Sequence, residues 1–222
     1  SARMPAGLLH PLVSFLISLS FVSTGSAACG IKSSRDMNIF TQFPKHMSSG
    51  GFLSHPSKED RVQPKQGQES VWDYPRPPVC KEAKGRKVVL KLGNKVIAET
   101  ERAWRMMETS HPPTWYIPKE DINMKYLKPS KAMQTTCEFK GQAVYYDVEA
   151  DGKTVKMTGW SYPTPADDQK QIKDKFAFYI NRGLEAWVDG EKAKPQEGDF
   201  YGGWITPDVV GPFKGSPGTR FW

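Results

Sequence analysis

The sequence has no CxxC pair, no P-loop, no GxGxxG turn and no block of five or six like charges. Each absence removes a class of function. Three cysteines, Cys29, Cys80 and Cys137, without a CxxC pair offer no structural zinc site, and no metal site is expected. Their odd number excludes a fully paired intramolecular framework. Cys80 and Cys137 could pair if Cys29 were removed; otherwise they are two reduced thiols packed as small hydrophobes. Two Gly-rich phosphate cradles are missing with the P-loop and the dinucleotide fingerprint. The net charge is +7, with seven Lys+Arg against four Asp+Glu in residues 1–70 and 24 against 20 in the rest. A nucleic-acid groove clusters its basic residues and interleaves them with aromatics, so this dispersed charge gives no strong nucleic-acid signal. Mild basicity is compatible with a small anionic ligand.

Apolar residues are also scarce, at 38%, and unevenly placed. Residues 1–36 hold the run Leu12-Val-Ser-Phe-Leu-Ile-Ser-Leu-Ser-Phe-Val22, followed by Ser23-Thr-Gly-Ser-Ala-Ala28. The run is short for a bilayer span but has the length of a signal-peptide core. No acidic residue precedes Asp36 and Ser is frequent, as in an organelle transit peptide. A third reading is an upstream leader, with Met4 or Met37 as the start. The first two readings imply secretion or organelle targeting, and the third a cytoplasmic protein. Residues 37–68 are polar without period and contain Ser48-Ser-Gly-Gly51, which predicts a disordered linker. All seven Trp lie between Trp72 and Trp222. A segment of about 150 residues, 69–222, buries roughly 70% of its unfolded surface, enough for one core and no transmembrane segment.

Within 69–222, short alternating runs are separated by turn dipeptides. Arg86–Leu92 and Lys95–Glu99 flank Gly93-Asn94 and predict a β-hairpin. Thr114–Ile117, Gln134–Phe139, Ala143–Glu149, Thr154–Thr158, Phe176–Ile180 and Ala186–Val188 read as further strands. Thr100–Glu108 fits a helix capped by Thr100 or a third strand. Pro118–Leu127 predicts one short helix, and Ala166–Asp174 allows a second. The expected fold is a compact antiparallel β-rich domain, β-tent-like or a sandwich, with one or two short helices.

Several longer runs carry a resemblance. Glu69-Ser-Val-Trp-Asp-Tyr-Pro-Arg-Pro-Pro78, Glu108-Thr-Ser-His-Pro-Pro113, Tyr116-Ile-Pro118, Cys137-Glu-Phe-Lys-Gly141, Trp160-Ser-Tyr-Pro163, Phe200-Tyr-Gly-Gly-Trp204 and Val210-Gly-Pro-Phe-Lys-Gly215 occur in order. Together they resemble the domain-of-unknown-function 427 family, labelled "nucleotidyltransferase", across about 69–222. The resemblance implies a small β-rich fold similar to the β-tent folds. The family usually has Cys-Pro-Tyr-Lys-Gly where this chain has Cys137-Glu-Phe-Lys-Gly141, so any role of that Tyr hydroxyl is lost here.

The residues suggest two kinds of site. Glu108 and His111 flank a turn stiffened by Pro112-Pro113 and could form a general acid/base pair. Lys140 precedes Gly141, where a ligand could approach the backbone. Arg102 could pair with Glu108 or clamp an anion. Cys137 could be a nucleophile if a neighbouring Lys140 or His111 lowered its pKa. Asp147 and Glu149, two apart on a strand, share a side, although a polar strand face beside a turn is ordinary. Trp160, Tyr162 and Trp204 adjoin small residues and could frame a slot for a planar ligand, or fill a core. Tyr116 and Lys214, inside two of the family-like runs, complete the expected ligand-binding set. These residues support an enzyme acting on a nucleotide or other small anionic metabolite, with no cofactor identified. The alternative is a non-catalytic small-molecule or protein-binding module.

Overall fold

A computed structural model describes residues 54–131 and 134–222. The segment read as a targeting peptide or leader, and the expected linker before residue 54, lie outside the described residues. The strands are β1 (Glu69–Ser70), β2 (Val79–Glu82), β3 (Val88–Leu92), β4 (Lys95–Thr100), β5 (Trp104–Met107), β6 (Thr114–Pro118), β7 (Leu127–Pro129), β8 (Thr135–Cys137), β9 (Gly141–Ala150), β10 (Lys153–Ser161), β11 (Lys175–Phe178), β12 (Glu185–Val188), β13 (Glu191–Lys192), β14 (Lys194–Pro195), β15 (Trp204–Ile205) and β16 (Val209–Val210). The domain is mostly β, as the alternating runs predict.

Two sheets dominate. The larger has the order β2-β5-β6-β11-β10-β9-β7, with β8 also paired to β9, and the smaller β13-β12-β3-β4. All these pairings are antiparallel. The β3–β4 hairpin turns at Gly93, whose φ of 57° suits glycine. A Cβ there would strike the Asp151 carboxylate, which accepts from Asn94 N at 3.1 Å.

Strand alternation gives the large sheet two apolar faces. One packs on the small sheet: Trp115, Ile117, Val148, Phe176 and Phe178 meet Val88, Leu90, Ile97, Ala186 and Val188 in one buried cluster. The neighbours in sequence, Tyr116 and Ala177, point the other way and join Cys80, Met106, Ala143, Trp160, Tyr162 and Tyr179 in a second cluster. This second face holds the site.

One open alternative is settled and two local expectations change, each for an identifiable reason. The ambiguous run after Thr100 is strand β5, paired to both β2 and β6. Thr100 caps a turn there: its Oγ1 accepts from Arg102 N at 2.9 Å. The helix expected at Pro118–Leu127 is two 3-10 turns, Lys119–Asp121 and Met124–Tyr126. Between them Ile122 is extended and buried, and Asn123 N donates to Ile97 O at 2.8 Å, so pairing with β4 interrupts the helix. The helix allowed at Ala166–Asp174 is a 3-10 stretch, Asp167–Ile172, kinked at Gln169, whose buried side chain donates to Pro78 O at 3.1 Å.

Residues 54–68, inside the expected linker, contact the domain. Val62 N donates to Gly211 O at 3.1 Å, and Gln68 Nε2 to Pro207 O at 2.8 Å. The Arg61 guanidinium lies 4.5 Å from the Trp72 ring centroid. Among the described residues no helix is long and apolar enough to cross a membrane.

Candidate ligand-binding site

A cavity of about 510 Å³ opens on the second face of the large sheet. Met106 of β5, Tyr116 of β6, Tyr145 of β9, Trp160 of β10 and Tyr179, just beyond β11, line it from successive strands. The Trp160 and Tyr179 rings lie 4.4 Å apart. A bulge in β10, between Val155 and Gly159, turns Met157 to the cavity with φ of 49°. Asp147 caps this bulge, accepting from Met157 N and Lys156 Nζ, each at 2.8 Å. Burial alone would raise the Asp147 pKa, but the Lys156 and Met157 bonds hold it below the usual value. Asp147 therefore has a structural task, and Glu149 on the same strand is exposed. No group of three His, Cys, Asp or Glu among the described residues is placed to hold a metal ion.

Glu108 and Lys140, far apart in sequence, meet here. Their charged atoms are 3.9 Å apart and their side chains 16% and 15% exposed. That separation is too long for a hydrogen bond but within reach of an ion pair, so both charges remain open to a ligand in the cavity. Lys214 is buried; its Nζ donates to Trp222 O at 2.5 Å and lies 5.2 Å from the Tyr201 ring centroid. Burial, then Arg76, draws the Lys214 pKa down, while Glu108 opposes the shift.

His111 sits against Tyr201, ring centroids 4.6 Å apart, and accepts a hydrogen bond at Nδ1 from Gln196 Nε2 at 3.1 Å. Burial, with Lys214 and Lys140 nearby, pushes its pKa down to about 3. The imidazole is therefore neutral at pH 7, and it can donate a hydrogen bond more readily than it can take a proton. Burial likewise raises the phenols of Tyr116, Tyr162 and Tyr179 well above their usual range. Cys137 lines the cavity as a half-buried free thiol, whereas burial pushes the Cys80 thiol up to about 12.

Of the ten expected residues, Glu108, His111, Cys137, Lys140, Tyr116, Trp160, Tyr162 and Lys214 line this one cavity. Two do not. Arg102 is an exposed partner of Asp121, with contacts at 2.5 and 3.2 Å, and it does not pair with Glu108. Trp204 is fully buried between the sheets, stacked on Trp115 at 6.3 Å, with Nε1 donating to Phe178 O at 2.9 Å. The glycines beside it explain the Tyr-Gly-Gly-Trp run: a Cβ on Gly202 would overlap the Trp160 ring, and one on Gly203 would overlap Pro112 O and Gln196 Oε1.

Sequence reasoning missed Arg76, Tyr145, Tyr179, Arg182 and Gln196. Tyr145 was readable, because it shares the phase of Ala143 on a strand that had been identified. Arg182 braces the wall: it donates to Met157 O at 2.5 Å and Asp199 O at 3.1 Å, and stacks on Tyr179 at 4.1 Å. Gln196 lies in an irregular polar segment with no sequence signal.

A family model described as a domain of unknown function (DUF427) matches residues 79–190, half of the chain. No curated protein matches it.

Proposed function

This chain belongs to the DUF427 family, and with that membership as premise we propose that its cavity binds a small anionic ligand carrying a flat ring, a nucleotide being one example. The observation that carries this reading is the convergence of Arg76, Lys140, Lys214 and the neutral His111 donor on a cavity walled by Tyr116, Trp160 and Tyr179. Aromatic walls suit a planar group, and cations with N–H donors suit oxyanions. The family label, nucleotidyltransferase, names one chemistry of this kind. Glu108 beside Lys140 offers a carboxylate to a ligand hydroxyl or amine, and would be the acid/base group if the ligand is turned over.

The test is a thermal-shift panel on the full chain, using nucleotides, sugar phosphates and aromatic carboxylates, each with and without Mg²⁺. A flat anion well above its Kd should add about 2–4 kcal/mol of stability. Lys140→Ala should lower that gain by about 1.4 kcal/mol, as a tenfold loss of affinity requires. A panel in which no anion raises the melting temperature would refute the reading.

A further inference from the structure

We infer that Gln196 fixes His111 as a hydrogen-bond donor to the cavity and thereby selects a ligand that presents an unprotonated oxygen there. The selection half rests on the preceding reading that the cavity takes an anion. The lock on the imidazole stands on protein contacts alone.

Gln196 is 2% exposed and its amide makes three hydrogen bonds. Oε1 accepts from Gly203 N at 3.1 Å. Nε2 donates to Lys214 O at 2.7 Å and faces His111 Nδ1 at 3.1 Å. Reversing the amide would set its oxygen against a carbonyl oxygen and its nitrogen against a backbone N–H, so the orientation is determined. An amide nitrogen has protons to give and no lone pair to receive one. Nδ1 of His111 must therefore be the acceptor, and the single proton of the neutral ring lies on Nε2.

Protonating the ring would aim an Nδ1–H at the Gln196 N–H. It would also add a positive charge among Lys214, Lys140 and Arg76; the Tyr201 ring offers no counter-charge, and the Glu108 carboxylate already faces Lys140. The hydrogen bond that the described residues give this ring is the one at Nδ1, and His111 borders the cavity. A ligand group at this position must bring a lone pair. Phosphoryl and carboxylate oxygens qualify, while an ammonium or amide N–H meets a donor. Gly203 belongs to the same device, since a Cβ there would lie 2.6 Å from Gln196 Oε1.

The test is long-range ¹H–¹⁵N spectroscopy of the His111 ring in the ¹⁵N-labelled full chain, from about pH 5.5 to 8. The wild type should show the Nε2–H tautomer throughout, without titration. Gln196→Glu replaces the donor with an acceptor-only carboxylate. It should move the proton to Nδ1, or bring imidazolium titration into this window. A wild-type ring that titrates in the window, or carries its proton on Nδ1, overturns the inference without any variant. Inorganic phosphate and acetate are the two oxyanion probes, and a shift of the Nε2–H resonance with one of them identifies the favoured source. If neither moves it while the tautomer holds, oxyanion selection by His111 is overturned and the lock remains measured; flat-anion binding is judged separately by the ligand panel.

Discussion

At the residue scale, His111 shows how burial changes the chemistry a side chain can perform. Sequence spacing placed it beside Glu108 as an acid/base partner. The fold surrounds it with cations and occupies Nδ1, which leaves a neutral donor. The consequence for stability has a definite sign. Between about 3 and 6.5 the unfolded chain binds a proton at this histidine and the folded chain does not. The stability linked to His111 is thus fully present above pH 6.5 and is lost as pH falls toward 3. Melting temperatures of the wild type should drop from about pH 6.5 to 4.5 more steeply than those of His111→Gln; parallel profiles would contradict this. The cysteines make a second prediction. Cys80 is buried with its thiol pushed up to about 12, while Cys137 lines the cavity. Iodoacetamide with peptide mapping should modify Cys137 in the native protein and leave Cys80 untouched. Neither environment could be read from the chain, because a buried strand cysteine and a cavity cysteine look alike in sequence.

At the scale of elements, the strands were legible and the helices were not. Period-2 runs such as Trp115-Tyr-Ile117 and Phe176-Ala-Phe178 identify strands because each must serve two faces. The run 118–127 has helical composition, but its Ile122 is needed in the core and Asn123 on the edge of β4, and tertiary contacts override propensity. The two glycines of Tyr201-Gly-Gly-Trp204 were visible as a motif, while their reasons needed coordinates. Gly203→Ala should destabilise the domain and disturb the His111 resonances, since the Cβ has no room beside Pro112 and Gln196. Unchanged spectra and melting temperature would contradict the packing described. The turn before His111 stores a different kind of cost. Ser110 has φ of 69°, is 1% exposed and leaves Oγ without a partner among the described residues. Ser110→Gly should raise stability by about 1 kcal/mol, read in a denaturant titration.

At the scale of the whole molecule, one sheet separates stability from recognition. Its inner face packs on the four-stranded sheet around Trp115, Trp204 and Phe178, and its outer face forms the cavity. This division explains why the aromatic-rich sequence suggested both a core and a ligand slot: the two alternate along the same strands. Eight of the ten expected residues converged because their runs sit at strand ends and turns that face the same side. Arg102 and Trp204 departed because a local carboxylate, Asp121, captures the first and the inter-sheet core takes the second. Trp204→Ala should therefore cost about 3–5 kcal/mol of stability through loss of core packing.

If the outer face recognises a flat anion, calorimetric titration of the full chain will register the binding. Nucleoside monophosphates and aromatic carboxylates would be compared with uncharged nucleosides and inorganic phosphate, in the wild type and in Lys140→Ala. At least one flat anion should bind more tightly than its uncharged or ringless counterpart, and Lys140→Ala should weaken it about tenfold, a loss of about 1.4 kcal/mol. Absence of binding by every flat anion, or equal affinity in the wild type and the variant, would contradict that recognition.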